Sequence, residues 1–437
     1  MQFFDDLGEL VELRWRERNY DDEAFPGIAR EALAEVDPNR NVDPWDIIRW
    51  LNNTPQLPEQ RDVDGHFGNP PITLFNGPRF YIDVYYWLDG TTAVHQHAFC
   101  GAFQVLLGSS ILCQYSFEEK RRINPHLLAG DINLETVELL GEGDIREILP
   151  GRQYIHSLFH LDRPSATIII RTEQTLAGVP QYTYLRPCFA MDPYLKSAAT
   201  IKRVRGASLL LSMRHPQADE MIGELLSGSD FQTAFPILDL AYNQLANNPL
   251  ERAFEVGTGG ERFHALLQIA RRRHGELVDF ILPLIEEGQR QNNLVLRRGQ
   301  ITSNEHRFFL ALLLNVPDRG KVLDLVRQRY PEKDPINTIT EWVDELANTR
   351  VAGSHEPNVL GIDNVDEDYL FVFQCLLEGL TIDQTKRAID EELSAEDARS
   401  LEDNVERLYS DIRNSMLFKS IFREAPLGAT AQPSLAS

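Results

Sequence analysis

The spacing of hydrophobic residues changes twice along the chain. From residue 1 to about residue 60, apolar positions recur every three to four residues, as in LGELVELRWRERN, and prolines separate the runs. This spacing is typical of amphipathic helices, and it predicts two further helices at 23–36 and 43–53. We therefore expect residues 1–68 to form an N-terminal helical segment.

Between about residues 70 and 190 the pattern becomes that of short strands. Runs rich in β-branched and aromatic residues alternate with Gly, Pro, Asn and Asp, and they cover 72–75, 79–88, 102–107, 110–117, 136–139, 145–149 and 166–171. Many short strands separated by turn residues indicate a sandwich or a barrel. We expect residues 69–195 to form one β-domain.

The helical spacing returns in the C-terminal half, in runs such as RFHALLQIARRRHGELVDFILPLIEEG and DYLFVFQCLLEGL. These runs predict an α-helical domain over residues 205–424. The last residues, 425–437, have low complexity (APLGATAQPSLAS), which is typical of a disordered tail. The predicted fold class is thus α+β, with a β-barrel between a short helical segment and a large all-α domain.

Composition and charge exclude several classes of function. The chain has 437 residues, of which 43% are hydrophobic and 25% charged, the balance of a folded soluble protein. Lys and Arg total 43 against 66 Asp and Glu, a net charge of −23, which argues against a nucleic-acid partner. No apolar run reaches the roughly 18 residues of a membrane span, and the N-terminus does not resemble a signal peptide. We expect a cytoplasmic protein with no membrane partner.

Cysteine usage agrees with that location. The four cysteines, at positions 100, 113, 188 and 375, form no CxxC pair. The spacing therefore predicts neither a zinc ribbon nor a redox motif, and buried reduced thiols are expected.

The strongest chemical signal is a pair of histidines in the β-domain. His95 and His97 lie two residues apart in GTTAVHQHAFCGAFQVLLG, residues 90–108. On a strand such residues point to the same face, with Cβ atoms about 6.6 Å apart. Two imidazoles at that spacing can converge on one metal ion through bonds of about 2.0–2.2 Å. The pair predicts half of a metal site.

A second stretch supplies the other half. In GDIREILPGRQYIHSLFH, residues 143–160, a strand runs into a Pro-Gly turn and His156 follows. A third imidazole from a neighbouring strand would complete a triad of nitrogen ligands. Such a triad leaves coordination positions open, which is the condition for a catalytic metal.

Together the two stretches resemble the two signature motifs of the cupin superfamily. The first family motif is Gly, HxH, Glu, Gly, and the second is Gly, PxG, His, Asn. The matching residues are Gly90, His95, His97 and Gly108 in the first motif, and Gly143, Pro150, Gly151 and His156 in the second. The resemblance covers about 100 of the 437 residues. It implies a cupin-like β-barrel, a double-stranded β-helix.

Two departures from the family pattern refine the expected site. Gly101 stands where the family has its Glu, and His160 stands where it has its Asn. A site of three histidines without the Glu is similar to that of thiol dioxygenases, which bind Fe(II), coordinate substrate directly and activate O₂. The resemblance therefore implies Fe(II) held by His95, His97 and His156, with a small-molecule substrate and O₂ as partners.

Three further residues are expected to act near the metal. On a strand the Cβ atoms of His156 and His160 would be about 13 Å apart, too far for both to bind one ion. We therefore expect His160 to be an outer partner of the ligands or to face the substrate. Tyr154 shares the face of His156 and could donate a hydrogen bond, and Arg171 could bind a substrate carboxylate. A core histidine, aromatic packing and a surface salt bridge are the respective alternatives.

The hypothesis favoured by these residues is a mononuclear non-haem Fe(II) oxygenase that oxidises a small organic molecule with O₂. One alternative is a regulatory or binding protein in which the barrel senses a ligand or metal. In that case the helical domain would dock a protein partner or a second subunit. The other alternative is an isomerase or hydrolase that uses Zn, Mn or Ni as a Lewis acid.

Overall fold

The computed structural model of the chain describes residues 1–61, 63, 68–88, 93–175, 178, 180–195, 197–246, 258–351, 355–393, 401 and 403–422. These residues form two compact units. The first unit comprises 1–116, 133–181 and 290–422, and the second comprises 117–132 and 182–289. The predicted tail, 425–437, and Gly90 of the first motif lie outside the described residues.

The first unit begins with helices α1 (Gln2–Glu17), α2 (Phe25–Val36), α3 (Pro38–Asn41) and α4 (Pro44–Asn53). Proline occupies the first turn of each of the last three, where its missing N–H is not needed. Asp43 caps α4 by accepting a hydrogen bond from the Trp45 N–H. The helices predicted in this segment are therefore present.

Ten strands follow. They are β1 (Pro71–Asn76), β2 (Phe80–Trp87), β3 (Gly101–Leu107), β4 (Ser110–Asn124), β5 (Leu127–Leu140), β6 (Ile145–Ile148), β7 (Ile155–His160), β8 (Ser165–Thr172), β9 (Thr183–Leu185) and β10 (Phe189–Met191). They form two five-stranded sheets, in the orders β1-β2-β8-β3-β6 and β7-β4-β5-β10-β9. From β3 to β8 the chain passes repeatedly from one sheet to the other, as in a jelly roll. The predicted cupin-like double-stranded β-helix and α+β class are confirmed.

Side chains on the two faces of the first sheet are buried in two different hydrophobic cores. Ile82, Val84 and Tyr86 of β2 are buried together with residues of α1 and α2. Tyr85 and Trp87, on the opposite face, are buried with residues of both sheets in the barrel interior. Because alternate strand residues point to opposite faces, the same strand covers the N-terminal helices and lines the barrel.

The first unit contains further helices after the barrel strands. They are the end of α9 (Ile281–Gly299), α10 (Asn304–Asn315), α11 (Arg319–Arg329), α12 (Pro335–Ala347), α13 (Glu367–Glu378), α14 (Ile382–Glu392) and α15 (Val405–Asn414). Arg298 of α9 is buried and donates to the Leu161 carbonyl at 2.7 Å, and Lys321 of α11 donates to the Glu135 carbonyl at 2.8 Å. The barrel wall and these helices are therefore one structural unit.

The second unit contains helices α5 (Ala198–Ser212), α6 (Ala218–Gly228), α7 (Phe231–Ala241) and α8 (Thr258–His274), and the first half of α9. Within it, residues Leu127 to Ala129 of β5 pair with β10. Ser197 and Asp230 cap α5 and α7 by accepting backbone hydrogen bonds. Across the described ranges, every helix is too short or too polar to cross a lipid bilayer.

Gly101 marks the closest approach of two strands in the first sheet. It lies on β3 opposite Arg171 of β8 and Ile148 of β6. A Cβ atom at this position would lie 2.0 Å from the Ile170 carbonyl oxygen and 2.9 Å from the Arg171 Cα. No side chain fits at position 101 without moving the β8 backbone.

We expect Gly101→Ala to lower the free energy of unfolding by about 1–3 kcal/mol, because the added methyl group overpacks the β3–β8 pairing. Urea unfolding at neutral pH measures this change. The matched control is Gly27→Ala in α2, where a Cβ meets nothing within 4 Å. That variant should be unchanged or more stable by up to about 1 kcal/mol, because Ala is the better helix former. Equal effects of the two substitutions would contradict the close approach.

Candidate metal centre

Backbone hydrogen bonds join the two histidine-bearing segments. The His95 N–H donates to the His156 carbonyl and the His156 N–H donates to the His95 carbonyl, both at 2.9 Å. The Gly151 N–H donates to the His97 carbonyl at 2.8 Å. The HxH segment is thereby held against the turn before β7 and the start of β7. The sequence-predicted meeting of the two segments is present.

The three imidazoles converge at this junction. One ring nitrogen from each of His95, His97 and His156 lies within 4.8 Å of the other two. Nε2 of His97 is 2.9 Å from Nε2 of His156. For metal–nitrogen bonds of about 2.1 Å, two ligands at a right angle have nitrogens about 3.0 Å apart. The spacing of His97 and His156 therefore fits two ligands of a single ion, and His95 lies near enough to be a third candidate ligand.

Burial keeps these rings in the neutral form that a metal requires. Exposed fractions are 9% for His95, 6% for His97 and 4% for His156. Loss of hydration lowers the pKa of His95 and holds the pKa values of His97 and His156 well below the usual histidine value. Proximity to His95 lowers the last two pKa values further. Near neutral pH each ring carries a nitrogen lone pair able to bind a metal.

The hydrogen bond of His95 selects its ligand atom. Its Nδ1 lies 2.6 Å from the Ala93 carbonyl oxygen, so this nitrogen carries the proton and Nε2 keeps the lone pair. Nδ1 atoms of His97 and His156 have no hydrogen-bond partner among the described residues. Of the three, His95 alone has, within the described ranges, the outer acceptor that commonly orients a metal-binding histidine. Sequence could not reveal this acceptor, because it is a backbone carbonyl.

Aromatic rings surround the imidazoles. The Phe99 ring centroid is 4.2 Å from that of His97, and the Tyr154 centroid is 4.4 Å from that of His156. The Tyr154 hydroxyl is buried with no hydrogen-bond partner among the described residues. Burial raises the pKa of Tyr154, so the group stays a neutral phenol able to donate a hydrogen bond. Tyr154 therefore lies beside His156, in the turn before β7, and its role stays a prediction.

Among the described residues, no carboxylate joins the three histidines. Position 101, where the cupin pattern has Glu, is filled by the close approach of β8 described above. Asp83 on β2 is buried and accepts a hydrogen bond from the Tyr85 hydroxyl at 3.0 Å, and burial raises its pKa. Among the described residues, the group able to hold a metal contains only the three histidines.

Arg171 contacts the ring of Phe99, and that ring in turn contacts His97 of the cluster. Its guanidinium carbon is 3.3 Å from the Phe99 ring centroid and 5.2 Å from that of Tyr81. Nε donates to the Thr172 carbonyl at 3.4 Å, and no described carboxylate lies within ion-pairing distance. The positive charge of Arg171 contributes to the low pKa of His97. Arg171 is thus a cation near the cluster that forms no salt bridge with a described carboxylate, although its charge acts to lower the pKa of Asp83.

The structure does not bring His160 to the other three histidines. It lies at the end of β7, where Nδ1 is 3.1 Å from the Ser110 hydroxyl oxygen and the ring stacks on Trp87 at 4.4 Å. Nε2 has no hydrogen-bond partner among the described residues. Burial, assisted by the charge of Arg298, lowers the pKa of His160 to about 3. His160 is therefore a further buried imidazole of the barrel, apart from the cluster.

The cysteines stay outside this chemistry. All four are buried thiols outside any disulfide, as the sequence predicted. Burial raises the pKa of Cys100 to about 11, which keeps its thiol protonated. A protonated buried thiol is neither a nucleophile nor a metal ligand.

Comparison with known proteins gives distant similarities only. No protein-family model matches the sequence, and no curated protein is similar to it. A hydroquinone 1,2-dioxygenase from Sphingomonas sp. TTNP3 shares 10% identity over 25% of this chain and 68% of its own, with a TM-score of 0.20.

Two further solved structures are named as cupins. A cupin-2 domain protein from Shewanella frigidimarina shares 14% identity over 32% of this chain and 99% of its own, with a TM-score of 0.18. A cupin sugar phosphate isomerase from Silicibacter pomeroyi shares 13% identity over 30% of this chain and 82% of its own, with a TM-score of 0.19. At such TM-scores these similarities carry no weight on activity. The strand order and the histidine cluster of the chain itself define a cupin-like barrel with three convergent imidazoles.

Because His160 is buried and neutral, we expect the free energy of unfolding to fall in acid. Its folded-state pKa is about 3, below the value of about 6.5 in an unfolded chain. Between these values only the unfolded state takes up the proton, so stability is complete above about pH 6.5 and falls as the pH drops toward 3. We expect His160→Gln to reduce this loss by up to about 1.4 kcal/mol per pH unit between about pH 5.5 and 4.

Urea unfolding of both proteins at several pH values measures the difference. Between about pH 7 and 8 the imidazole is neutral in both states, so the two stability curves should run parallel there. Parallel curves at acidic pH as well would contradict the assignment of a buried neutral imidazole.

Proposed function

We propose that His95, His97 and His156 hold one Fe(II) ion and that the protein uses O₂ to oxidise a small organic molecule. The observation that carries this proposal is the convergence of three buried, neutral imidazoles inside the barrel without a carboxylate. Three ligands on one face leave coordination positions for other molecules. A structural zinc site, by contrast, fills four positions with protein ligands.

The donor set agrees with this choice of metal. Imidazole nitrogens suit iron as well as zinc, copper and nickel, so the ligand type alone does not select among them. The three-histidine set without Glu is the feature that resembles thiol dioxygenases, and it favours iron. When bound, Fe(II) would supply electrons to O₂ and hold both reactants side by side.

The chain's own residues have separate tasks in this proposal. Arg171 provides a fixed positive charge near His97, and its planar guanidinium suits a carboxylate or another anionic group of the substrate. Tyr154 provides a neutral hydroxyl donor beside His156. Of the two roles expected for His160, support of the ligands is the less suitable, because its hydrogen bond goes to Ser110 and not to an imidazole of the cluster. The proposal therefore assigns His160 the substrate-facing role.

The aromatic wall would limit access of water. Phe99 and Tyr154 contact two of the three imidazoles, and Trp87 covers His160. In a site with little water, charge interactions such as that of Arg171 are stronger than at the surface. A dry site also protects reactive species from hydrolysis.

Replacement of one ligand tests the metal site. We expect His97→Ala purified without oxygen to retain less than about a tenth of the wild-type metal, because two imidazoles hold an ion far more weakly than three. Metal analysis of the purified protein measures this content, and circular dichroism checks that the variant is folded. The matched control is His264→Ala, an exposed helix position, which should keep full metal content. Full metal content in His97→Ala would remove this residue from the site.

The reaction class is tested by oxygen consumption. Iron-loaded protein should take up O₂ when supplied with a panel of small carboxylates that includes thiol-bearing and aromatic compounds, and Arg171→Met should raise KM for any active carboxylate. Zinc as the native metal, with turnover of a substrate under nitrogen, would support an isomerase or hydrolase instead. Protein that purifies without stoichiometric metal would overturn the proposal.

A further inference from the structure

Helix α5 in the second unit presents an exposed row of large side chains. Ile201, Arg205, Leu209 and Met213 follow one another at intervals of four residues. Ile201 is 41% exposed, Leu209 63% and Met213 71%. Side chains four residues apart form the ridge that a helix inserts into a partner surface. We refer to these four residues and the neighbouring Lys202 as the α5 face.

The opposite side of α5 is fixed in the core of its unit. Ala207 and Leu211 are buried there with side chains from α6, α7 and α8. The helix is therefore held in place without help from the α5 face. Three large apolar side chains on one exposed ridge are unusual where nothing covers them, because large side chains gain by burial.

The charge around the α5 face is opposite to that of the chain. No acidic residue lies between Asp192 and Asp219, whereas this stretch contains Lys202, Arg203 and Arg205. None of these three cations pairs with an acidic group in the described parts of the chain. The face is thus both cationic and apolar.

The acidic surplus lies elsewhere. The segments of the second unit, 117–132 and 182–289, contain 16 Asp and Glu against 14 Lys and Arg. Nearly all of the net charge of −23 therefore belongs to the rest of the chain. Every copy of the protein carries one cationic apolar ridge and one strongly acidic remainder.

We propose that the α5 face binds the acidic part of a second copy of this chain. Two α5 faces would repel each other, so the face of one copy meets a different, acidic surface of the other. In a two-fold dimer this contact occurs twice, because each copy offers both surfaces. Exposed Leu and Met beside Arg are typical of protein interfaces rather than nucleic-acid sites, where cations contact phosphates.

Sedimentation velocity of the full-length protein tests this proposal. At about 0.05 M salt we expect a dimer that weakens at about 0.5 M salt, because ions screen the charge contacts. Lys202→Glu with Arg205→Glu should raise the dimer Kd by at least about tenfold at low salt. Leu209→Ser with Met213→Ser should weaken the dimer at both salt concentrations, because it removes apolar burial.

The matched control is Arg121→Glu with Arg272→Glu, which changes the net charge equally at exposed positions of the same unit outside the α5 face. This variant should keep the wild-type Kd. A wild-type monomer at low salt, or a dimer that resists both face variants, would overturn the proposal. Flotation with vesicles that contain anionic lipid tests whether the α5 face binds a lipid surface instead. A monomer that binds such vesicles through Lys202 and Arg205 would assign the face to a lipid surface instead, which also overturns it.

Discussion

The candidate site depends on one backbone contact, the reciprocal hydrogen bonds between His95 and His156. These bonds place a short segment of the chain beside a strand that begins some 60 residues later. Because the side chains of a directly opposed pair lie close together, His95 and His156 approach each other. His97 then reaches the same point, since residues two apart on an extended segment share a face. Without this pairing the histidines would be separate buried bases.

A second constraint determines which donor atoms the site contains. The close approach of β3 and β8 at Gly101 leaves no room for a side chain, so the carboxylate of the cupin pattern has no place there. The remaining donors are neutral nitrogens, and burial keeps them neutral. An ion in this site would keep more of its positive charge than it would beside a carboxylate, and anionic molecules would bind more readily. The positive charge of Arg171 acts in the same direction.

The helices of the first unit give the barrel a fixed wall. Arg298 is buried and donates to the carbonyls of His160 and Leu161, at the end of the strand that carries His156. A buried guanidinium needs several acceptors, and these backbone carbonyls supply them. The strand is thereby tied at one end to α9 and at the other to the HxH segment. The helical half of the chain thus contributes to the rigidity of the candidate site as well as to its own core.

Local sequence patterns predicted most of the elements and the three histidines of the cluster, but not β9, β10 or the first half of β5. Alternating and helical spacings located the barrel and the helices, and the HxH and PG-His patterns selected the three histidines, because those patterns are local. Gly101 could be noted as a missing Glu, but only the pairing of β3 with β8 showed why no side chain fits. The sequence showed that His160 is a histidine on the same strand as His156. Only the fold showed that its ring lies against Trp87 and Ser110. Long-range packing likewise decided that residues 290–422 belong to the same unit as the barrel. Buried contacts such as that of Arg298 cannot be recognised from the spacing of hydrophobic residues in the sequence.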